Sequence, residues 1–308
     1  MTSKIVAVQG DHPSKLNPSS DTSIFLANEI QIRKYKIFYY EPKDLSIINN
    51  KVFASGFFVK FNYSKKNFYT ILKKEKLELV KCKFILIRQD PPFNLEYISS
   101  TFILDTIKKR IKIINNPTSI RNISEKLYSV KYLKYMPNTI FTQNIIEIKK
   151  FLKKNRKVII KPIHSYSGND IHLLKRFNFK LISQFIRKHN YIMCQKYLPY
   201  ISKGDKRVFL INGKVCGAIS RVPKKGSFLS NMSKGAKPKK TLLTKRENRI
   251  SKLIAKDLKK ENIFFAGIDF IDQKLNGDIN VTSPTGLKTL YDLSGVNHAK
   301  TFWKELKA

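Results

Sequence analysis

Residues 264–285, FFAGIDFIDQKLNGDINVTSPT, place Asp278 and Asn280 two positions apart, with Asp269 a little upstream. In an extended strand alternate side chains share a face, so Asp278 and Asn280 point the same way. A carboxylate and an amide oxygen on one face are hard ligands that suit Mg²⁺, which takes one or two carboxylates and fills its remaining positions with water and nucleotide phosphates. Mn²⁺ is an alternative occupant of the same oxygen set. The run reads as a β-hairpin: residues 264–271 are aromatic and β-branched, Asn276-Gly277 is a turn signal, and residues 278–283 alternate as a second strand. The bland reading of the same acids is that they solvate an edge strand beside a turn.

Basic residues at strand ends supply a complementary chemistry. Lys161 closes the apolar strand KVIIKP, and IHSYSGND follows it, a loop of small residues containing Ser167 and Gly168. A lysine at such a mouth can meet a phosphate while the loop backbone closes over it. Lys126 lies in a segment, residues 119–128, that reads as a helix. Arg88 begins Arg88-Gln89-Asp90-Pro91-Pro92-Phe93 after a buried strand, where a guanidinium can fork onto a carboxylate; an ordinary proline-terminated strand end is the competing reading. Asp205-Lys206-Arg207 opens a further strand, and Arg221 ends another. GxxxxGK[ST], GxGxxG, HExxH and GxSxG are absent, and the five histidines share no spacing.

The elements that must position these groups follow an α/β order. Strand 5–9, a polar loop, and a helix over 23–33 capped by Asp21 or Thr22 open the chain. Strand 36–40, a strand pair within 51–61, strand 84–88, helix 95–109 and strand 111–114 complete one open sheet, whose ligands are expected beyond the carboxyl ends of its strands. Asn115-Asn116-Pro117 breaks the pattern and predicts a domain boundary near residue 118. Strands 139–142, 157–162 and 171–174, helix 181–189 and strand 191–198 follow. Residues 223–240, rich in Gly, Ser and Lys, read as a mobile loop, and a helix over 245–259 leads back to the hairpin.

At 308 residues and 42% hydrophobic content the chain suits about two globular domains. No apolar run approaches a membrane span and the N-terminus is not signal-like, so a cytoplasmic protein is expected. Cys82, Cys194 and Cys216 fit neither a zinc spacing nor a disulfide framework and read as reduced, mostly buried thiols. The formal charge of +38 invites a polyanionic partner, but lysine and arginine are spread over every segment without a nucleic-acid-binding signature. Faster capture of small anions is the expected consequence.

Taken in order, Lys126 in EKL, Lys161 in IIKP, QKYLP at 195–199, GDKRV at 204–208, AISRVP at 218–223, and GIDFI followed by DINVTSPT strongly resemble ATP-grasp ligases, most closely the bacterial glutathione synthetases. RQDPPF at 88–93 and INNP at 114–117 extend the resemblance over nearly the whole chain. It implies an α/β (α+β) class and the ATP-grasp fold: an N-terminal open α/β domain over residues 1–118, then an ATP-grasp domain over 119–308 with a small lid at about 126–196 and a C-terminal part at about 197–308.

Carried over by position, the resemblance puts Lys126, Lys161, Ser167, Gly168 and Asp205 around ATP, with Gln195, Lys196, Tyr197 and Leu198 lining the adenine pocket and hinge. Arg207 and Arg221 would face the reacting carboxyl and phosphate as catalytic groups. Arg88, Asn231, Thr282, Ser283 and Pro284 would bind substrate, and Asp278 and Asn280 would hold Mg²⁺ with Asp269 supporting. Asp278 stands where the family usually has glutamate, and the loop after Lys161 holds a single glycine. The implied reaction joins γ-glutamylcysteine to glycine at the expense of ATP through an acyl phosphate, releasing ADP and phosphate, in a homotetramer that binds neither membrane nor specific nucleic acid. The alternatives are another carboxylate-amine ligase of this fold, acting on a peptide or protein glutamate, and a basic nucleic-acid-binding protein.

Overall fold

Ile5–Gln9 (β1) is apolar and buried beyond its first residue, as a strand covered on both faces must be. The computed structural model describes residues 4–62, 67–166 and 168–308. In it β1 pairs in parallel with Lys36–Tyr40 (β2) and Phe84–Ile87 (β6), and β6 pairs in parallel with Lys112–Ile114 (β7). The sheet continues antiparallel through Lys51–Phe61 (β4), which also pairs with Leu45–Ile48 (β3) and Tyr69–Glu78 (β5). Residues 51–61 are thus one long strand and not a strand pair. Helices Thr22–Ile32 (α1), Leu95–Asp105 (α2) and Pro117–Asn122 (α3) accompany this sheet. Asp21 caps α1, accepting from Ile24 N at 2.8 Å.

A second sheet, of order β10-β9-β11-β8, is antiparallel and contains Thr139–Thr142 (β8), Val158–Pro162 (β9), His172–Leu174 (β10) and Ile192–Lys196 (β11). Ile145–Asn155 (α4) and Phe179–His189 (α5) cover it, and Ile148, Leu152, Ile182 and Phe185 close a small core of its own.

The third sheet, of order β14-β13-β12-β15-β16, contains Asp205–Ile211 (β12), Lys214–Val222 (β13), Lys237–Lys240 (β14), Phe265–Ile271 (β15) and Lys274–Asn280 (β16). Lys245–Lys260 (α6) starts with a capping box between Thr244 and Glu247. Leu287–Ser294 (α7) and His298–Glu305 (α8) return to the first sheet, where Trp303 Nε1 donates to Leu26 O at 2.9 Å. Phe209, Phe302 and Trp303 join the core built on β1 and α1.

The hairpin differs from expectation in one respect. Its turn is Asp272-Gln273, with φ of 48° and 59°, and Asn276-Gly277 lies inside β16. Gly277 has φ +86°, the left-handed region that favours glycine, and a Cβ there would come within 2.5 Å of Met193 Cε, so the backbone conformation inside the strand, and not the hairpin turn, calls for the glycine. Lys126 also departs from its expected helix: α3 ends at Asn122, and Lys126 precedes the 3₁₀ run Leu127–Tyr135. No helix among the described residues is long and apolar enough to cross a membrane. All three cysteines are free.

Asn115 ties the first sheet to the third. Its side-chain nitrogen donates to Phe265 O at 2.7 Å and Val281 O at 2.6 Å, and its oxygen accepts from Phe264 N at 2.9 Å and Phe265 N at 2.8 Å. These four bonds hold the hairpin against the carboxyl ends of the parallel strands.

Candidate active site

β16 reads KLNGDIN, with Leu275, Gly277 and Ile279 buried and the residues between them half-buried. That alternation turns Asn276, Asp278 and Asn280 towards a cavity of about 600 Å³ bordered by strands of the second and third sheets and by the connections that follow β1 and β6 of the first. Lys161, fourth residue of β9, reaches across from the second sheet. Its Nζ donates to Asn276 Oδ1 at 3.0 Å and to Asn276 O at 3.2 Å, and lies 3.3 Å from Asp278 Oδ2. Lys126 Nζ stands 3.5 Å from Asp278 Oδ1 and donates to Ser165 O at 2.8 Å, so it also holds the loop after β9. Burial alone would push the Asp278 carboxyl up; Lys161 and then Lys126 outweigh it and hold the carboxyl below its ordinary range.

A second charged network runs along β12, β13 and β15. Arg207 grips Asp269 through Nε and Nη2, the latter at 2.8 Å, and Arg221 Nη2 reaches the same carboxylate at 2.8 Å. Arg221 Nε also donates to Asp205 Oδ1 at 2.8 Å, and Ser230 Oγ, on the loop after β13, donates to Asp205 Oδ2. All five residues are buried. Burial raises the Asp205 carboxyl, and Arg221 opposes it. For Asp269 burial acts in the same sense but Arg207 and Arg221 prevail, leaving its pKa at about 2. Paired and bonded in this way, buried charges can be carried in a protein interior.

Gly168, Gln195, Lys196, Tyr197, Leu198, Asn231 and Ser283 border the same cavity, as do Lys126, Lys161, Asp205, Arg207, Arg221, Asp269, Asp278 and Asn280. Gln195 directs its amide nitrogen to Thr139 Oγ1 at 3.0 Å. Arg88 and Pro284 lie behind the wall: Arg88 Nη2 donates to Pro284 O at 3.0 Å, and its Nε donates to Ser23 Oγ at 3.1 Å. Thr282 faces a smaller neighbouring cavity. Ser167 lies outside the described residues.

The expected loop over 223–240 is partly ordered as secondary structure, since Lys237–Lys240 pairs with β13. Its middle, Phe228 to Ser233, borders the cavity. Gly168 meets it there, with φ +71°, and a Cβ on Gly168 would fall 2.4 Å from Asn231 Oδ1. Glu125, Asp21, Asp90 and Ser230 also border the cavity, although sequence alone makes Asp21 only a helix cap and Asp90 only part of RQDPPF, and assigns Glu125 and Ser230 no place in the site. Glu125 and Asp90 sit inside the motifs EKL and RQDPPF without being singled out there. Burial raises the carboxyls of Asp21 and Asp90, against the pull of Arg88.

The donor set fits a hard divalent cation bound together with a polyanion. Asp278 and Asn280 supply a carboxylate and an amide oxygen on one strand face, and no group of three or more His, Cys, Asp or Glu that could hold an ion occurs among the described residues. A cation held by one carboxylate and one amide needs its other ligands from substrate phosphates and water, which is how Mg²⁺ sits in nucleotide sites.

Two family models match the chain: the N-terminal domain of prokaryotic glutathione synthetase over residues 5–121 and its ATP-grasp domain over 125–295. Curated relatives called glutathione synthetase include one from Agrobacterium fabrum, 34% identical over 310 residues (99% of this chain, 96% of the relative). Those from Mesorhizobium japonicum (36% over 303 residues, 97% and 96% covered) and Buchnera aphidicola subsp. Baizongia pistaciae (36% over 294 residues, 93% and 90% covered) are similar. Among solved structures, the ATP-grasp ligase PsnB complexed with a phosphomimetic variant of its minimal precursor, Mg and ADP superposes with a TM-score of 0.66 at 13% identity, covering 100% of this chain and 98% of that one. D-cycloserine synthetase DcsG does so at 0.65 and 10%, covering 98% and 99%. These likenesses carry the fold.

Proposed function

The chain belongs to the prokaryotic glutathione synthetases, an ATP-grasp family, and we propose that the cavity between its three sheets is where it joins γ-glutamylcysteine to glycine. The protein is an ATP-dependent ligase that forms glutathione, and its substrates are small molecules including ATP. A carboxylate resists attack by an amine because oxide would have to leave. Transfer of the ATP γ-phosphoryl group to it creates an acyl phosphate, from which phosphate leaves readily when the amine attacks.

Such a reaction asks the protein for fixed positive charge and exclusion of water more than for a nucleophile. In our reading Lys126 and Lys161 exchange Asp278 for the ATP phosphates. Asp278 and Asn280 then hold the divalent cation, proposed as Mg²⁺, with Asp269 as the supporting carboxylate. The cation, when bound, supplies charge neutralisation on the transferring phosphoryl group. Arg207 and Arg221, aimed by Asp269 and Asp205, stabilise the developing anion. Gln195 to Leu198, with Ile159 and Ile271, provide the adenine slot, Gly168 approaches the phosphates, and Ser167 is assigned to ATP by the family resemblance alone. Asn231, Ser283 and the Arg88–Pro284 pair shape the peptide end, and Thr282 the acceptor end. Residues 1–118 form the substrate domain in this scheme, 126–196 the lid, and 197–308 the floor. A cytoplasmic homotetramer is the proposed setting.

The observation that carries the reading is the convergence of two lysines, from separate elements, on one carboxylate in a cavity wall. The test is release of ADP by purified protein with ATP and Mg²⁺. Release should need both γ-glutamylcysteine and glycine; equal stimulation by glutamate, by a peptide carboxylate or by nucleic acid would contradict it.

A further inference from the structure

Glu125 stands apart from the ion pairs described above. Its Oε1 is hidden from solvent and accepts no hydrogen bond, while its backbone oxygen accepts from Ile279 N at 3.1 Å and fixes the residue against β16. The side chain belongs to the walls of two cavities, the main one and a chamber of about 30 Å³ beside it. Pro91, Ser165 and Tyr166 also border both, so the smaller space adjoins the larger across these residues, as a side chamber. Phe93, Ile123 and Thr282 help to close it. There is room for about two water-sized centres, enough for the amine end of a small amino acid and too little for a branched side chain.

The charged groups around Glu125 are Lys126 and Arg207, which favour its anion, and Asp278 and Asp269, which oppose it; burial is the largest influence and raises its pKa. His164 faces the chamber, and burial followed by Lys126 favours its neutral form. A buried carboxyl oxygen without a donor is costly, and an ammonium group would supply one.

We propose that the side chamber receives the acceptor amino acid, that Glu125 is the catalytic residue that takes the proton from its ammonium group, and that Phe93 and Ile123 exclude acceptors with a side chain. This rests on the ligase reading given above. The acceptor arrives as a zwitterion whose nitrogen has no free electron pair. One N–H bond breaks and its proton passes to the Glu125 carboxylate. The freed pair forms the C–N bond to the acyl carbon, the C–O bond to phosphate breaks with its electrons leaving on phosphate, and the second N–H proton of the former ammonium passes to the departing phosphate, leaving a neutral amide.

The test compares full-length wild type with Glu125→Gln, reading ADP release with ATP, γ-glutamylcysteine and either glycine or hydroxylamine. Hydroxylamine is a neutral nucleophile at pH 7 and traps an acyl phosphate without a base. The variant should keep hydroxylamine-dependent release within about two-fold and lose glycine-dependent release by ~10²-fold at neutral pH, recovering as rising pH frees the amine. An equal fall with both nucleophiles, or no fall with glycine, overturns the assignment. Failure of the ligase reading would look different, because wild type would then release ADP with neither. Phe93→Ala should raise kcat/KM for alanine relative to glycine by ~10-fold; unchanged selectivity overturns the role of the walls.

Discussion

Lys161 Nζ lies 3.3 Å from Asp278 Oδ2, although the lysine lies on a strand of the second sheet and the aspartate sits on the last strand of the third. The pair therefore ties two sheets together across the cavity. A cation bound with a triphosphate offers each partner a new opposite charge, so binding would exchange one set of pairings for another without stranding a buried ion. Lys161→Met should weaken ATP binding at least ~10-fold by calorimetry. It should cost the nucleotide-free protein only about 1–2 kcal/mol in unfolding, because Lys126 remains beside the carboxylate. Unchanged ATP affinity would remove Lys161 from the phosphate site.

Asn115→Ala tests how the hairpin is held. Four backbone groups of residues 264, 265 and 281 lose their partner at a buried position. At about 1 kcal/mol or more for each unsatisfied group, the denaturant midpoint should fall by the equivalent of about 3 kcal/mol or more. A loss below about 1 kcal/mol would mean that the two sheets are held by their shared core alone.

Acid sensitivity follows from Asp269. Its folded pKa, about 2, lies below the ordinary carboxylate value, so the stability it contributes is fully present above about pH 4 and drains away as pH falls towards 2. Asp205, with a raised pKa, contributes in the opposite sense. Asp269→Asn should therefore be less stable than wild type at neutral pH, with the gap narrowing on acidification. A gap that stays constant from pH 6 to pH 2.5 by near-ultraviolet circular dichroism would contradict the pairing.

The loop after β13 should guard the cavity. Lys224, Lys225 and Lys234 are exposed, whereas Lys237 is paired in β14, so trypsin should cut at the first three. ATP with γ-glutamylcysteine should protect them. Gly168→Ala, which forces a side chain onto Asn231 at a positive φ, should weaken that protection. Equal cleavage with and without ligands would mean that the loop is no lid.

Sequence made the buried strands legible because a strand covered on both faces must be largely apolar, as β6 is throughout and β1 and β15 are apart from Gln9 and Asp269. β5 was missed since its residues, YTILKKEKLE, lie mostly exposed at the sheet edge. Asn276-Gly277 looked like a turn, yet the glycine serves a positive φ inside β16, which the dipeptide alone does not distinguish from a turn. The hairpin and the placing of Asp278 and Asn280 on one face survived that error, because alternation depends on the strand and not on where it turns. Asp278 and Lys161 were singled out by their place on a strand face and at a strand mouth, and Lys126 by the order of motifs. Ser230 and Glu125 are common residue types whose meaning arises only from what lies across the cavity.

The most direct measurement of the central claim is the steady-state rate of ADP release by Asp278→Asn, titrated with Mg²⁺ and compared with Asp272→Asn. Both change an acid of the same hairpin, but Asp278 faces Lys126 and Lys161 while Asp272 sits in the turn. If Asp278 anchors the cation and phosphates, its variant should fold normally, lose ~10²-fold or more in turnover and need more Mg²⁺, while Asp272→Asn stays within about two-fold of wild type. Near-normal turnover with unchanged Mg²⁺ dependence in Asp278→Asn, or equal damage from Asp272→Asn, would contradict the account.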